Sequence, residues 1–521
     1  MKKLIPLTAI FFAFLPQLTT ASPECSFMWK KSNKEKQDYT TYYSKTIESY
    51  LTETADGRLM RVEDRGNGTI GVMYFNEQYD CTDTLNVELG LPKFGAFHAG
   101  SDGNYYVLTG QDNPEEQDTV EVFRITKYNN KWQLLGYGGL LGANTVEPMR
   151  SSATRMTDDG DFLFVRSSHK MYKSEKDGKN HQASVTIQVD KNTMEIVDAQ
   201  TRVINEGYGY TSHSFDAYLK VDNGHLVVAS LGDAYPRGIY LGRCKKKTSE
   251  KKVDCAFNYC TVQEIPGKIG QNATGVSMGG MEVSDSAYLF VYNYLDSTIS
   301  TKQRNIYISA VPRVKEGFGE PVITKITQSE ETGIRVHTPK IVEIEANRYL
   351  LLWSDDTDKV YYTELDEKGN YGDIYECVGN LSDCQPILYN NKIVWYVAIG
   401  KLTPENIVFY EINPNNLDDI QAKPATFDHD FELVKKDGAT FYKCTQCGQE
   451  AECSNTLQVA QKTIQPTGYD HTLHLDGYDG DIALYNLKGN LDYQGHNKEL
   501  RLENGVYLVR WGNERQLVVI R

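Results

Sequence analysis

The stretch Ser212–Ser230, SHSFDAYLKVDNGHLVVAS, reads as a strand, a tight turn and a second, apolar strand. Asn223-Gly224 supplies the turn, because both central residues of a type I′ turn need positive φ and Asn-Gly accepts it at least cost. Five other stretches repeat the cassette: FGAFHAGSDGNYYVLTG (94–110), RSSATRMTDDGDFLFVRS (150–167), GVSMGGMEVSDSAYLFVYN (275–293), HTPKIVEIEANRYLLLWS (337–354) and SDCQPILYNNKIVWYVA (382–398). Their turns, counted at Gly103, Gly160, Gly224, Ser286, Asn347 and Asn391, recur at intervals of 44 to 64 residues. A third strand follows each cassette: Thr119–Lys127, Ala183–Val189, Arg237–Gly242, Asn305–Val311, Lys359–Glu364 and Ile407–Ile412.

A several-stranded unit at this period is what a propeller blade gives. The hairpin Leu59–Glu63 and Thr69–Phe75, joined across Asp64–Gly68, reads as an irregular first copy. The fold expected is therefore all-β, a β-propeller of about seven blades followed by a small C-terminal β-sandwich. A pair of β-sandwiches is the competing architecture, since it also shows short alternating strands. The organisation expected is a signal peptide at 1–21, the propeller at 22–420, a cysteine-containing linker or small module at 421–463 and a β-domain at 464–521.

The formal net charge of −15 over 521 residues argues against nucleic acid as the main partner. Lys2 and Lys3, the apolar run Leu4–Leu15 and the small residues Thr19-Thr20-Ala21 have the layout of a secretory signal. No later stretch approaches the length of a transmembrane helix. Ten cysteines in an exported chain suggest disulfides. The close pairs are Cys377/Cys384 and Cys255/Cys260, with Cys244 an alternative partner for either of the latter. Cys444, Cys447 and Cys453, with His429 or His471, have the spacing of a zinc site, but the compartment favours disulfide over metal. No metal or other cofactor is expected.

The segments IALYNLKG (482–489), LENGVYLVR (502–510) and QLVVIR (516–521) resemble the C-terminal sorting domain of type IX secretion substrates, without the Asn-Pro opening usual before its first strand. The resemblance implies an export address read by the secretion machinery and often removed. It places the protein outside a Gram-negative cell, secreted or on the outer surface. The stretches GQDNPEE (110–116), SHSF (212–215) and GDAYPR (232–237) resemble a family of secreted bacterial β-propeller-like repeat proteins, which implies a fold and no activity.

Side chains at the starts of innermost strands converge on the central funnel of a propeller. His98, Arg150, His213, Asp216 and His337 lie at or near such starts, with Asp233, Tyr235 and Arg237 on the loop after the Ser212–Ser230 cassette. Arg offers a planar donor fork and Asp accepts sugar hydroxyls, so the set suits an anionic or polyhydroxylated ligand. The match of Gly275-Val276-Ser277-Met278-Gly279 to a nucleophile elbow lacks the strand-to-helix context that motif needs, and reads as a glycine-rich inner strand. The acidic pairs Glu115-Glu116, Asp158-Asp159 and Asp355-Asp356 sit in turns and read as solvated loops. The function expected is a secreted or cell-surface binding protein for an extracellular glycan or protein ligand. A polysaccharide-degrading enzyme with its site in the funnel, and a structural or adhesion component of the envelope, are the alternatives.

Overall fold

A computed structural model describes residues 25–27, 44–425, 431–453 and 467–520, apart from 67, 202–211, 235–236, 252–256, 316, 399–406, 437–438, 445–449, 470, 476–477, 479, 497–498 and 513. Seven antiparallel four-stranded meanders follow one another and form the blades of a β-propeller. Their innermost strands are Ser49–Glu53, Lys93–Ala99, Arg155–Asp159, Ser212–Asp222, Val276–Val283, Lys340–Glu345 and Ile387–Tyr389. Blades 3 and 4 share one larger sheet through the single pairing Ala183↔Ser212. The turns expected from the cassettes are present. Asn223 and Gly224 have φ of 49° and 69°, and Asn390 and Asn391 of 49° and 58°, as a two-residue type I′ turn requires.

Two details differ from the sequence reading. The first blade begins one strand earlier than the hairpin at 59–75, because Ser49–Glu53 is its inner strand and the first turn lies at 54–58. Each blade also has a fourth, outer strand that the cassette does not reveal. Such strands carry little apolar signal because one edge and much of their surface face water, as in Cys81–Glu88.

Each blade is built from consecutive chain, so the ring closes by packing of blade 7 on blade 1 rather than by a shared sheet. Phe409 stacks on Tyr79 at 4.4 Å and meets Phe75 edge-on at 4.9 Å. Tyr79 donates to Glu411 (2.8 Å) and Tyr389 to the Gly57 carbonyl (2.9 Å). The inner strands of blades 5 and 6 approach through glycine: a Cβ on Gly279 would collide with the Pro339 carbonyl, and one on Gly280 with Ile341. The glycine-rich inner strand is thus a packing device. Ser277, the would-be nucleophile, accepts a hydrogen bond from Arg304 (2.9 Å).

The strands Phe431–Lys436, Ala439–Cys444 and Glu450–Cys453 form a small sheet completed by Cys25–Phe27, whose register sets Cys25 opposite Cys453. Residues 467–520 form two packed sheets. Val506, Leu508 and Leu517 share one buried cluster with Val378, Ile420 and Trp395 of blades 6 and 7. Val378 N donates to Leu487 O (2.6 Å), and Arg515 pairs with Asp358 (2.9 Å).

The cysteine pairing corrects the sequence reading. Cys377 and Cys384 are separate buried thiols, the first in the core of blades 6 and 7 and the second at the seam of blades 7 and 1. Short sequence separation does not bring them together, because a blade boundary falls between them. Cys260 is also a thiol, so no Cys255–Cys260 bond forms, whereas Cys244 is disulfide-bonded. Cys255, Cys447, His429, the side chains of Cys444 and Cys453, and residues 1–21 lie outside the described residues.

Candidate functional site

In a meander propeller the first and third turns of every blade share one face, the hairpin face. The second loops and the links between blades share the other, the loop face. Arg155 and Lys340 begin their inner strands at the loop face, and Asp216 and Tyr218 lie further along theirs, with Tyr218 packed in the core between blades 4 and 5. Tyr50 comes from blade 1 and Asp383 from the segment entering blade 7.

These groups sense one another electrostatically. Burial raises the Asp216 carboxyl above the usual carboxylate range, although Arg155, Ser44, the Ala217 amide and Lys340 all oppose the rise. Burial likewise raises the Tyr50 phenol, against Arg155 and with Asp383. The Arg155 guanidinium lies 4.4 Å over the Tyr218 ring, and its Nη1 donates to Thr154 O (3.2 Å). Arg155 also faces the Tyr218 hydroxyl and the Asp216 carboxyl, and the buried Tyr50 hydroxyl has no partner among the described residues. Polar groups in such a position are normally paired, so this set is a candidate ligand site.

A strap crosses its mouth. Ser44 donates through Oγ to Asp216 (3.0 Å) and through its amide to Phe215 O (3.1 Å). Four residues later Glu48 N donates to Asp383 (2.9 Å), and Ser49 Oγ bonds the same carboxylate. Residues 44–49 thus run from blade 4 to blade 7 before entering blade 1.

The other residues singled out from sequence divide. His213 sits on the rim at the start of the blade 4 inner strand, with φ of 50° and Nδ1 2.8 Å from Asp233. Asp233 is fully buried and its second oxygen has no partner among the described residues. Arg237 is spent on structure: its guanidinium donates to the carbonyls of Pro266, Gln271 and Ala273 and holds the link that runs from blade 4 to blade 5. Tyr235 lies outside the described residues.

Three expected funnel residues are elsewhere. His98 lies at the far end of its inner strand, near the hairpin face, bonded to Asp158 (2.8 Å). Arg150 is exposed on the loop before blade 3 and pairs with Glu147 (2.9 Å). His337 is held within blade 6 by Ser354 (3.1 Å) and Asp356 (2.9 Å). Sequence reasoning missed Tyr50, Arg155, Tyr218, Lys340 and Asp383. Arg155 and Lys340 were within reach, because each lies a few residues beyond a residue that was chosen. No group of three or more His, Cys, Asp or Glu able to hold a metal occurs among the described residues. No described helix is long and apolar enough to cross a membrane.

No protein-family model matches the chain, and no curated protein matches its sequence. Solved structures similar to it include a PL25 ulvan lyase bound to -[GlcA(1-4)Rha3S]-, at 9% identity and TM-score 0.41, covering 77% of this chain and 96% of the lyase. The β-propeller domain of the Trilobed protease from Pyrococcus furiosus aligns at 9% identity and TM-score 0.36, covering 72% of this chain and 98% of that domain. AztD from Citrobacter koseri aligns at 11% identity and TM-score 0.39, covering 72% and 86%. Propellers thus serve lyases, peptidases, glycosidases and binding proteins, and similarity at this level assigns none of these to the chain.

Proposed function

We propose that the protein is an exported binding protein that takes a glycan segment in the loop-face mouth of its propeller. The observation that carries this is the meeting of Arg155, the buried Asp216 carboxyl and a Tyr50 hydroxyl that has no partner among the described residues. Arg155, held over the Tyr218 ring, would donate to sugar hydroxyls or acidic groups, and Asp216 would accept from hydroxyls. His213 stands at the rim. The strap must yield for a ligand to reach Asp216, because Ser44 holds that carboxylate. Export fits the N-terminal segment and the sorting-like C-terminal domain. That domain shares a core with blades 6 and 7, so its removal would uncover Val378 and Ile420.

A second reading, a glycan-cleaving enzyme, is favoured by Asp216 itself. A carboxyl held above its usual range is suited to general acid work. One experiment separates the two: incubate the protein with a panel of plant and bacterial polysaccharides, and score retention on the polymer and release of new reducing or unsaturated ends. Retention without new ends is expected. New ends would replace the binding reading with the enzyme, and neither signal would overturn both.

A further inference from the structure

Outer strands of sheets invite pairing with other chains, and proteins usually blunt them with charge or proline. Six of the seven outer strands here do so, with Asp83 and Glu88, Asp198, Glu264, Lys325, Glu376, and Lys423 with Pro424. Blade 2 is the exception. Its outer strand Leu134–Leu141 reads LLGYGGLL, pairs only with Glu121–Tyr128, and leaves its other edge unpaired among the described residues. Leu134, Leu135, Tyr137 and Leu141 are 60%, 55%, 54% and 61% exposed.

Alternate residues of the strand face opposite ways. Gly136 and Gly138 lie against Met194 and Ile196 of blade 3. Leu135, Tyr137, Gly139 and Leu141 share the outward face. A Cβ at Gly139 would meet the Glu121 carboxylate, the end of a flexible side chain, so glycine leaves that carboxylate where it pairs with Arg124. The Tyr137 ring stands beside it, 4.4 Å from the Arg124 guanidinium.

This order is self-complementary. Opposed residues of an antiparallel pair share a face, so two identical strands are two-fold symmetric only when a residue meets its own copy on the axis. With the axis at Gly138, Leu135 faces Leu141 of the second copy and Tyr137 faces Gly139, where a ring can cover the bare backbone. An axis at Tyr137 sets ring against ring and Leu141 against Gln133. Leu135, Tyr137 and Leu141, each more than half exposed, would be covered in both copies as the two open strand edges pair.

We propose that the protein is a homodimer in which the outer strand of blade 2 joins its own copy, antiparallel, about a two-fold axis at Gly138. Sedimentation of the purified protein tests it, with Leu135→Lys, Leu141→Glu and the double variant. Both positions are exposed, so the fold should persist in each. Each single change raises the dimer Kd about tenfold or more. The double change restores the dimer, because Lys at 135 then faces Glu at 141 of the second copy. A wild type that is monomeric at every concentration, a dimer indifferent to the single changes, or a double variant that stays monomeric would each overturn the proposal.

Discussion

Two charged clusters line the inner strands, and they differ in how completely their groups are satisfied. Near the hairpin face Asp158 takes hydrogen bonds from His98 (2.8 Å), Lys191 (2.5 Å) and both the amide and hydroxyl of Ser101. Burial pushes its carboxyl up, but these bonds outweigh burial and hold it well below the usual carboxylate range. On the axis, Asp216 is raised by burial despite its cationic neighbours, and the Tyr50 hydroxyl has no partner among the described residues. A saturated network braces two blades. An unsaturated one at a mouth is where a ligand finishes the bonding.

The largest expected effect breaks the braced cluster. Asp158→Ala leaves Lys191, whose side chain is 4% exposed, as an uncompensated buried charge. A loss of about 3–5 kcal/mol in urea unfolding is expected, since removing one partner of a buried pair costs that much. Ligand affinity of the molecules that remain folded should be unchanged. A loss below about 1 kcal/mol would show that this cluster is not a brace.

Arg155→Ala should act chiefly on binding. It takes a cation from the buried Asp216 carboxyl, which Lys340 and Ser44 still face, so unfolding should shift by less than on loss of Asp158. Affinity for the retained polysaccharide should fall about tenfold to a hundredfold, the worth of one or two charge-assisted hydrogen bonds. Equal affinity for wild type and variant would remove Arg155 from the site and collapse the contrast between the clusters.

The contrast also explains what was legible. Blade order and third strands could be read because apolar alternation and Asn-Gly-type turns are local signals. Where an inner strand begins could not. Residues 151–154 and 337–339 still belong to the loops that lead into their blades, so the reading settled on Arg150 and His337 where the axis holds Arg155 and Lys340. Strand direction misplaced His98, because the end of an inner strand, unlike its start, lies at the hairpin face. Tyr50 resembles any strand aromatic, and only the ring's closure brings it opposite Arg155. Asp216 and His213 were found because their cassette starts without an intervening loop.

The smallest effect sharpens the comparison through its sign. A carboxyl raised in the folded state binds its proton more tightly there than in the unfolded chain. Its contribution to stability is thus fully present below the unfolded pKa and is lost as pH rises through the folded value. Asp216 is such a group, so at neutral pH it works against the fold. Asp158 is depressed, and its contribution is present above the unfolded pKa and lost as pH falls through the folded value. Asp216→Asn should therefore raise Tm by about 1–3 °C at pH 7, the scale of relieving strain at a site kept for function. The gain should vanish below about pH 4, where the unfolded carboxyl is itself protonated. The same variant should bind the polysaccharide less well, because the amide both accepts and donates where the carboxylate only accepts. A Tm that falls at pH 7 would place Asp216 with Asp158 among the braces and leave Arg155 and Tyr50 alone to define the site.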